Sequence, residues 1–70
     1  MNDDFDDVTD LRTRLEGLRV EHRDLDEAIK QLMAVQIKDE LLIRRLKKRK
    51  LALKDRISVI ERMIEPDELA

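Results

Sequence analysis

The sequence predicts an all-α fold, an antiparallel hairpin of two helices that pack in the manner of a coiled coil. Leucine, isoleucine and valine recur at alternating intervals of three and four residues over most of the chain, which is the spacing of a heptad repeat. The 70 residues include one glycine and one proline, too few for a fold rich in turns. Because the chain has no cysteine, tryptophan or tyrosine, it must be held together by association of helices.

The heptad repeat consists of two runs that keep one phase, with leucine at every d position of the first run. We call the residues of the two runs the seam. An unbroken phase is compatible with one continuous helix or with two helices that fold back on each other. The seam comprises Val8, Leu11, Leu15, Leu18, His22, Leu25, Ile29, Leu32 and Gln36, then Ile43, Leu46, Lys50, Leu53, Ile57, Ile60 and Ile64.

A chain reversal explains the apolar residues near the middle of the chain better than a continuous helix does. In a continuous helix Ile37, Leu41 and Leu42 would form an exposed apolar cluster around the polar Gln36 and Asp39. A reversal removes that conflict and leaves Asp39 free to cap the second helix. The hairpin is therefore favoured, and the continuous helix is the alternative.

The expected boundaries follow from the periodicity and from the capping residues. Asp7 is the expected cap of the first helix, and the residue before Pro66 is disfavoured in a helix. We predict one domain spanning residues 1–70, with helix 1 at about 8–35, a turn at about 36–39, helix 2 at about 40–64, and acidic tails at 1–6 and 66–70.

The charged residues beside the seam mostly agree with one alignment of the hairpin. In this alignment a residue of helix 1 lies opposite the residue of helix 2 for which the two residue numbers add up to about 75. Opposite charges at flanking positions stabilise one pairing of two helices over others. The predicted pairs are Asp26 with Lys47, Glu21 with Arg56 and Arg12 with Glu61, against one like-charge match of Arg19 with Lys54.

Two stretches of the chain resemble the YdcH-like family of small bacterial proteins, a domain of unknown function. They are EHRDLDEAI at residues 21–29 and LKKRKLALKD at residues 46–55, and the resemblance extends over about residues 10–66. It implies an antiparallel helical hairpin, in agreement with the periodicity. It implies no activity, because the family has no established catalytic or binding residues that could be carried over. Relatives often have Pro, Ser or Gly where residues 35–38 of this chain are Val-Gln-Ile-Lys.

One hairpin of this size buries little apolar surface, so we expect it to associate with a second copy into a four-helix bundle. A second set of apolar residues lies beside the seam and is the candidate surface for this self-association. Its members are Ala28, Met33, Val35, Leu41, Leu42 and Met63.

Charge is distributed unevenly along the sequence. Residues 44–56 contain eight basic residues and one acidic residue, a local charge of +7, whereas the whole chain has a net charge of −2. Such a segment is a candidate contact for an acidic protein surface or a polyanion. No aromatic residue is interleaved with it to stack on bases, so nucleic acid is the less favoured partner. The candidate contact residues are Arg44, Arg45, Lys47, Lys48 and Arg49.

No residue pattern in the sequence indicates catalysis, a cofactor or a metal. His22 is the only histidine and has no cysteine as a companion ligand, so we interpret it as a polar seam residue that fixes helix register. The acidic N-terminus lacks the features of a signal peptide, and no apolar run is long enough to span a membrane. We therefore expect a cytoplasmic protein that is not an enzyme and does not bind a membrane.

Together these patterns predict a small self-associating hairpin that serves as an interaction or adaptor module without catalytic activity. The alternative is a nucleic-acid-associated protein that uses residues 44–56.

Overall fold

A computed structural model of the protein describes the backbone of residues 4–64 and the side chains of residues 8–64. This part of the chain contains two helices, α1 (Asp4–Met33) and α2 (Glu40–Ile64), and no strand. The helices pack against each other. Arg19 contacts Glu61, whereas Asp26, farther along α1, contacts Lys50, which comes earlier in α2. The helices are therefore antiparallel, and the predicted hairpin is confirmed.

The core of the hairpin is the predicted seam. Among the side chains of residues 8–64, the five buried apolar ones all belong to it: Leu15, Ile29, Ile43, Leu53 and Ile60. Leu53 is the most completely buried of them, with 1% of its surface exposed. Other seam positions are half-buried, among them the polar His22 and Lys50, while Val8 and Gln36 are exposed. A single stripe of each helix thus forms the interface, as the heptad spacing requires.

Asp39 caps α2, as predicted. The Leu42 N–H donates a hydrogen bond to Asp39 Oδ1 at 3.1 Å, and the Ile43 N–H donates to the Asp39 carbonyl at 3.0 Å. These are the bonds expected of an N-cap aspartate, which satisfies amide groups that have no partner within the helix. The cap therefore fixes the residue at which α2 begins.

The turn is longer than predicted and takes its extra residues from α1. α1 ends at Met33, so the turn spans residues 34–39 and Val35 is not helical. The Ala34 N–H donates to the Gln31 carbonyl at 3.2 Å, which tightens the last turn of α1. The cap fixes the start of α2, so the additional turn residues come from the end of α1. Six residues is an ordinary length for a connection between two packed helices.

The N-terminal boundary of α1 also differs from the prediction. α1 begins at Asp4, so residues 4–6 of the predicted acidic tail are helical and Asp7 lies within the helix rather than capping it. No proline or glycine occurs among residues 4–7, so nothing in the local sequence stops the helix at Val8. The predicted tail at residues 66–70 lies outside the described residues.

Burial of the seam predicts a large difference between two neighbouring leucines of α2. Replacing Leu53 by Ala should lower the free energy of unfolding by about 2–5 kcal/mol, because it leaves a cavity in the core. Leu51 is 61% exposed, and Leu51→Ala should change that free energy by less than about 0.5 kcal/mol. Urea unfolding followed by circular dichroism, at one protein concentration, measures both. Equal losses for the two variants would contradict the assignment of the core.

Candidate interaction site

Between the side chains of residues 8–64, three ion pairs join the helices along the two sides of the seam. Arg19 Nη2 lies 2.7 Å from Glu61 Oε2. Arg49 donates from Nε and Nη2 to Glu21 Oε2, at 3.2 and 2.9 Å, and Lys50 Nζ donates to Asp26 Oδ1 at 2.9 Å. Each pair is partly exposed, so each contributes little to stability, and their main effect is to favour one alignment of the helices.

The partners in these pairs differ from the predicted ones. Glu21 binds Arg49 rather than Arg56, and Glu61 binds Arg19 rather than Arg12, each a displacement of one heptad. The reason is the length of the arginine side chain, which reaches diagonally along the hairpin.

The third pair differs as well. Asp26 binds Lys50, a seam residue, rather than Lys47. Lys50 reaches outward from its half-buried position on the seam, so its stem lies along the apolar interface while its charge contacts the carboxylate. The predicted conflict between Arg19 and Lys54 is relieved, because Arg19 has an acidic partner in Glu61.

The ion pair with Lys50 lowers the pKa of Asp26 below its usual value. The hydrogen bond from Lys50 and the positive charge of Lys50 are the main causes, with smaller contributions from Lys30 and His22. Partial desolvation of the carboxyl group opposes them. A carboxylate whose pKa is lowered in the folded state stabilises the fold at pH values above its ordinary pKa. This stabilisation is lost as the pH falls through the lowered pKa.

Four cations of the predicted contact set point away from α1. Arg44, Arg45, Lys47 and Lys48 are exposed, and none of them forms an ion pair within residues 8–64. At 3.6 residues per turn, they fall within an arc of about 160° on α2. We call them the outer basic face. Arg49, the fifth predicted contact residue, lies outside this arc and is bound to Glu21.

An exposed group of apolar side chains surrounds the turn. Ile37 is 91% exposed, and Met33, Val35 and Leu41 are each about half exposed. We call these four residues the turn-end apolar cluster. They have no opposing helix because the seam ends where the chain leaves α1, so the reversal, contrary to expectation, leaves Ile37 and Leu41 exposed and buries only Leu42 in part. Exposed apolar groups of this kind mark interaction sites on small soluble proteins.

Two open grooves of about 290 Å³ each lie at opposite ends of the hairpin. One lies at the turn, and the other lies at the open end, where α1 begins and α2 ends. The turn-end groove is lined by Met33, Lys38, Glu40, Ile43, Arg44 and Lys47. The open-end groove is lined by Leu11, Arg14, Asp55, Arg56, Val59, Ile60 and Met63. The turn-end groove contains Met33, Glu40 and Lys47, which are e positions of the heptad, and the open-end groove contains Arg14, Arg56 and Met63, which are g positions. In an antiparallel hairpin the e positions flank one side of the seam and the g positions flank the other, so the grooves lie on opposite faces of the hairpin.

The structure places the predicted self-association residues at three separate locations. Met33, Val35 and Leu41 are exposed beside the turn, whereas Met63 is exposed in the open-end groove. Ala28 and Leu42 are half-buried within the hairpin. The six residues therefore do not form one continuous surface.

Sequence reasoning missed Ile37 and Lys38 as candidate contact residues. The signal for Ile37 was an isoleucine that lies off the heptad positions in a predicted turn. Lys38 lies outside the basic segment, and the reversal of the chain brings it into the turn-end groove beside Arg44. Within the described residues, no group of three or more acidic or histidine side chains is arranged to hold a metal ion. Neither described helix is long and apolar enough to cross a membrane.

Removing the Lys50 charge should raise the pKa of Asp26 towards its ordinary value. Lys50→Met keeps most of the apolar stem but deletes the hydrogen bond and the charge that lower this pKa. Lys48→Met is the matched control, because Lys48 forms no ion pair within the described residues. Titration of the Asp26 carboxyl carbon by NMR measures the effect. The ion pair is absent in solution if the pKa of Asp26 is the same in the wild type and in Lys50→Met.

Comparison with known proteins identifies the family. No curated protein and no solved structure matches the chain. The model of the family described as protein of unknown function (DUF465), which includes the YdcH-like small proteins, matches residues 15–61. This region contains both stretches that carry the resemblance and spans the turn and the greater part of each helix. The chain therefore belongs to the DUF465 family of proteins of unknown function.

Proposed function

We propose that this hairpin is a protein-interaction module that associates with a second copy of itself through its turn end. The observation that carries the proposal is the turn-end apolar cluster, with Ile37 almost completely exposed. A chain of this size has little apolar surface to leave in water, and covering these side chains would stabilise an assembly.

The charge distribution supports an antiparallel arrangement of the two copies. Residues 30–50, around the turn, contain eight basic and two acidic residues, a charge of +6. Residues 1–14 and 55–70, at the open end, contain four basic and ten acidic residues, a charge of −6. In an antiparallel pair each turn end lies beside an open end, so opposite charges face each other twice. The result is a four-helix bundle.

This arrangement requires no catalytic residue and no cofactor. Its function is to present surfaces, and a bundle made of two hairpins exposes the outermost cations of each outer basic face, Arg45 and Lys48. These cations suit an acidic protein partner, because neighbouring cations on one side of a helix can contact a carboxylate-rich surface together.

Introducing charge at the turn end should weaken self-association. Ile37→Glu with Leu41→Glu should lower the association constant about tenfold or more, because two carboxylates would be desolvated in an apolar interface. Val20→Glu with Leu51→Glu is the control, since both residues are exposed apolar positions away from the turn. Sedimentation velocity over a wide range of protein concentration measures the mass. A wild-type protein that remains one chain throughout, or equal weakening in both double variants, would contradict the proposal.

A second candidate function is polyanion binding by the outer basic face. It is favoured by the one-sided arrangement of four cations that lack an ion-pair partner within residues 8–64. It is disfavoured by the absence of aromatic side chains that could stack on bases. The two candidate functions respond differently to salt, because counterion release governs polyanion binding whereas apolar packing is nearly insensitive to it.

If the outer basic face binds duplex nucleic acid, four phosphate contacts should give a plot of log affinity against log salt with a slope of about −3.6. Arg45→Glu with Lys48→Glu should abolish that binding. Arg12→Glu with Arg23→Glu has the same net charge and should retain most of it, because both arginines are exposed residues of α1. Fluorescence anisotropy with a labelled duplex measures the affinities. Equal loss in the two double variants, or no binding at low salt, would remove this candidate.

A further inference from the structure

The turn-end groove has the chemistry of a site for an acidic segment with an apolar side chain. Lys38, Arg44 and Lys47 line it, opposed by the single carboxylate of Glu40. Met33 and Ile43 provide its apolar part. A ligand that fits must therefore carry several negative charges close to an apolar group.

The chain contains such a segment immediately after α2. Residues 65–70 are Glu-Pro-Asp-Glu-Leu-Ala, with three carboxylates next to a leucine and no basic residue. The acidic residues at the start of the chain are a poorer match, because residues 4–7 belong to α1 and cannot enter a groove as a separate segment.

The segment cannot place Leu69 against the apolar part of the groove of its own chain. Ile64 and Ile43 are separated by 21 residues of α2, a distance of about 31 Å at 1.5 Å per residue. The five residues from Ile64 to Leu69 span at most about 18 Å when fully extended. The remaining gap of about 13 Å is too long for the two side chains to bridge. A Leu69 side chain that contacts Ile43 or Met33 in this groove therefore belongs to another copy.

We propose that the turn-end groove binds the acidic segment 65–70 of a second copy, with Leu69 against Met33 and the carboxylates against Lys38, Arg44 and Lys47. This inference rests on the proposed self-association and names the contact that directs it. In an antiparallel pair the segment of each copy lies beside the groove of the other, so two-fold symmetry fills both grooves at once. The contact selects the antiparallel arrangement over a parallel one.

The test is a charge exchange in the full-length chain. Arg44→Glu with Lys47→Glu reverses the groove, and Asp67→Lys with Glu68→Lys reverses the segment. Each double variant alone should associate about tenfold more weakly than the wild type, because like charges face each other at both contacts. In an equimolar mixture the reversed groove meets the reversed segment and the native groove meets the native segment. The mixture should therefore regain wild-type association, measured by sedimentation velocity.

A matched mixture separates this contact from the general attraction of oppositely charged chains. Asp24→Lys with Glu27→Lys changes the net charge as the segment variant does, but at two exposed residues within α1. Alone it should associate like the wild type, and mixed with the groove variant it should not restore association. Leu69→Asn tests the apolar part of the contact and should weaken association with no change of charge.

The outcomes distinguish failure of this inference from failure of the proposed function. If reversing the segment leaves association unchanged, or if both mixtures are restored equally, the groove does not bind the segment. Self-association through the turn-end apolar cluster can survive that result. A third outcome is that Arg44→Glu with Lys47→Glu loses binding to a duplex nucleic acid while its self-association is not restored by mixing with the segment variant. That outcome would assign the groove to a polyanion and overturn the inference. A wild type that stays monomeric overturns both proposals.

Discussion

Each helix of this hairpin has one neighbour, and burial of the seam between them is the interaction on which the rest of the structure depends. Five apolar side chains of the described part of the chain are buried, and they lie on a single stripe of each helix. Such a layer covers one side of its helices and leaves the other sides in water. Where the chain departs from the helices at the turn, the layer stops, and the apolar side chains there have nothing to cover them. The turn-end apolar cluster is therefore a direct consequence of a two-helix interface.

The orientation of the seam also determines which charged side chains of α2 contact α1 and which face outward. Once the stripe faces inward, Arg49 and Lys50 lie close to the acidic side chains of α1 and bind them. The cations at neighbouring positions face outward and have no carboxylate opposite them within the described residues. The basic segment, uniform when read as sequence, therefore contains cations that favour one alignment of the two helices and cations that are available to a partner. Only the second group is relevant to binding.

The periodic and local features of the fold could be predicted from the sequence, because they depend on spacing that every turn of helix repeats. The seam and the Asp39 cap are of this kind. The ion-pair partners were wrong, because an arginine side chain can reach a carboxylate a full heptad away and the spacing does not choose between the possibilities. The predicted C-terminal end of α1 was wrong because it depends on how many residues the crossing needs, and the predicted N-terminal end was wrong because no residue among 4–7 stops the helix. Of the cations of the turn-end groove, Arg44 and Lys47 were predicted from composition, whereas Lys38 was missed. The apolar part was not predicted, since Met33 and Ile43 are 10 positions apart and meet only after the chain reverses.

The short turn also sets the order in which the hairpin assembles. Loop closure costs more entropy as the loop lengthens, so buried seam residues nearest the turn, Ile29 and Ile43, meet at the lowest cost. Contacts then form successively towards the open end, and a hairpin with such local contacts belongs among the fast-folding helical proteins. Opening follows the reverse order, because separating the last seam residues leaves the rest of the interface intact. We accordingly expect hydrogen exchange in the two helices to be fastest at the open end, where Leu11 and Ile60 line the groove.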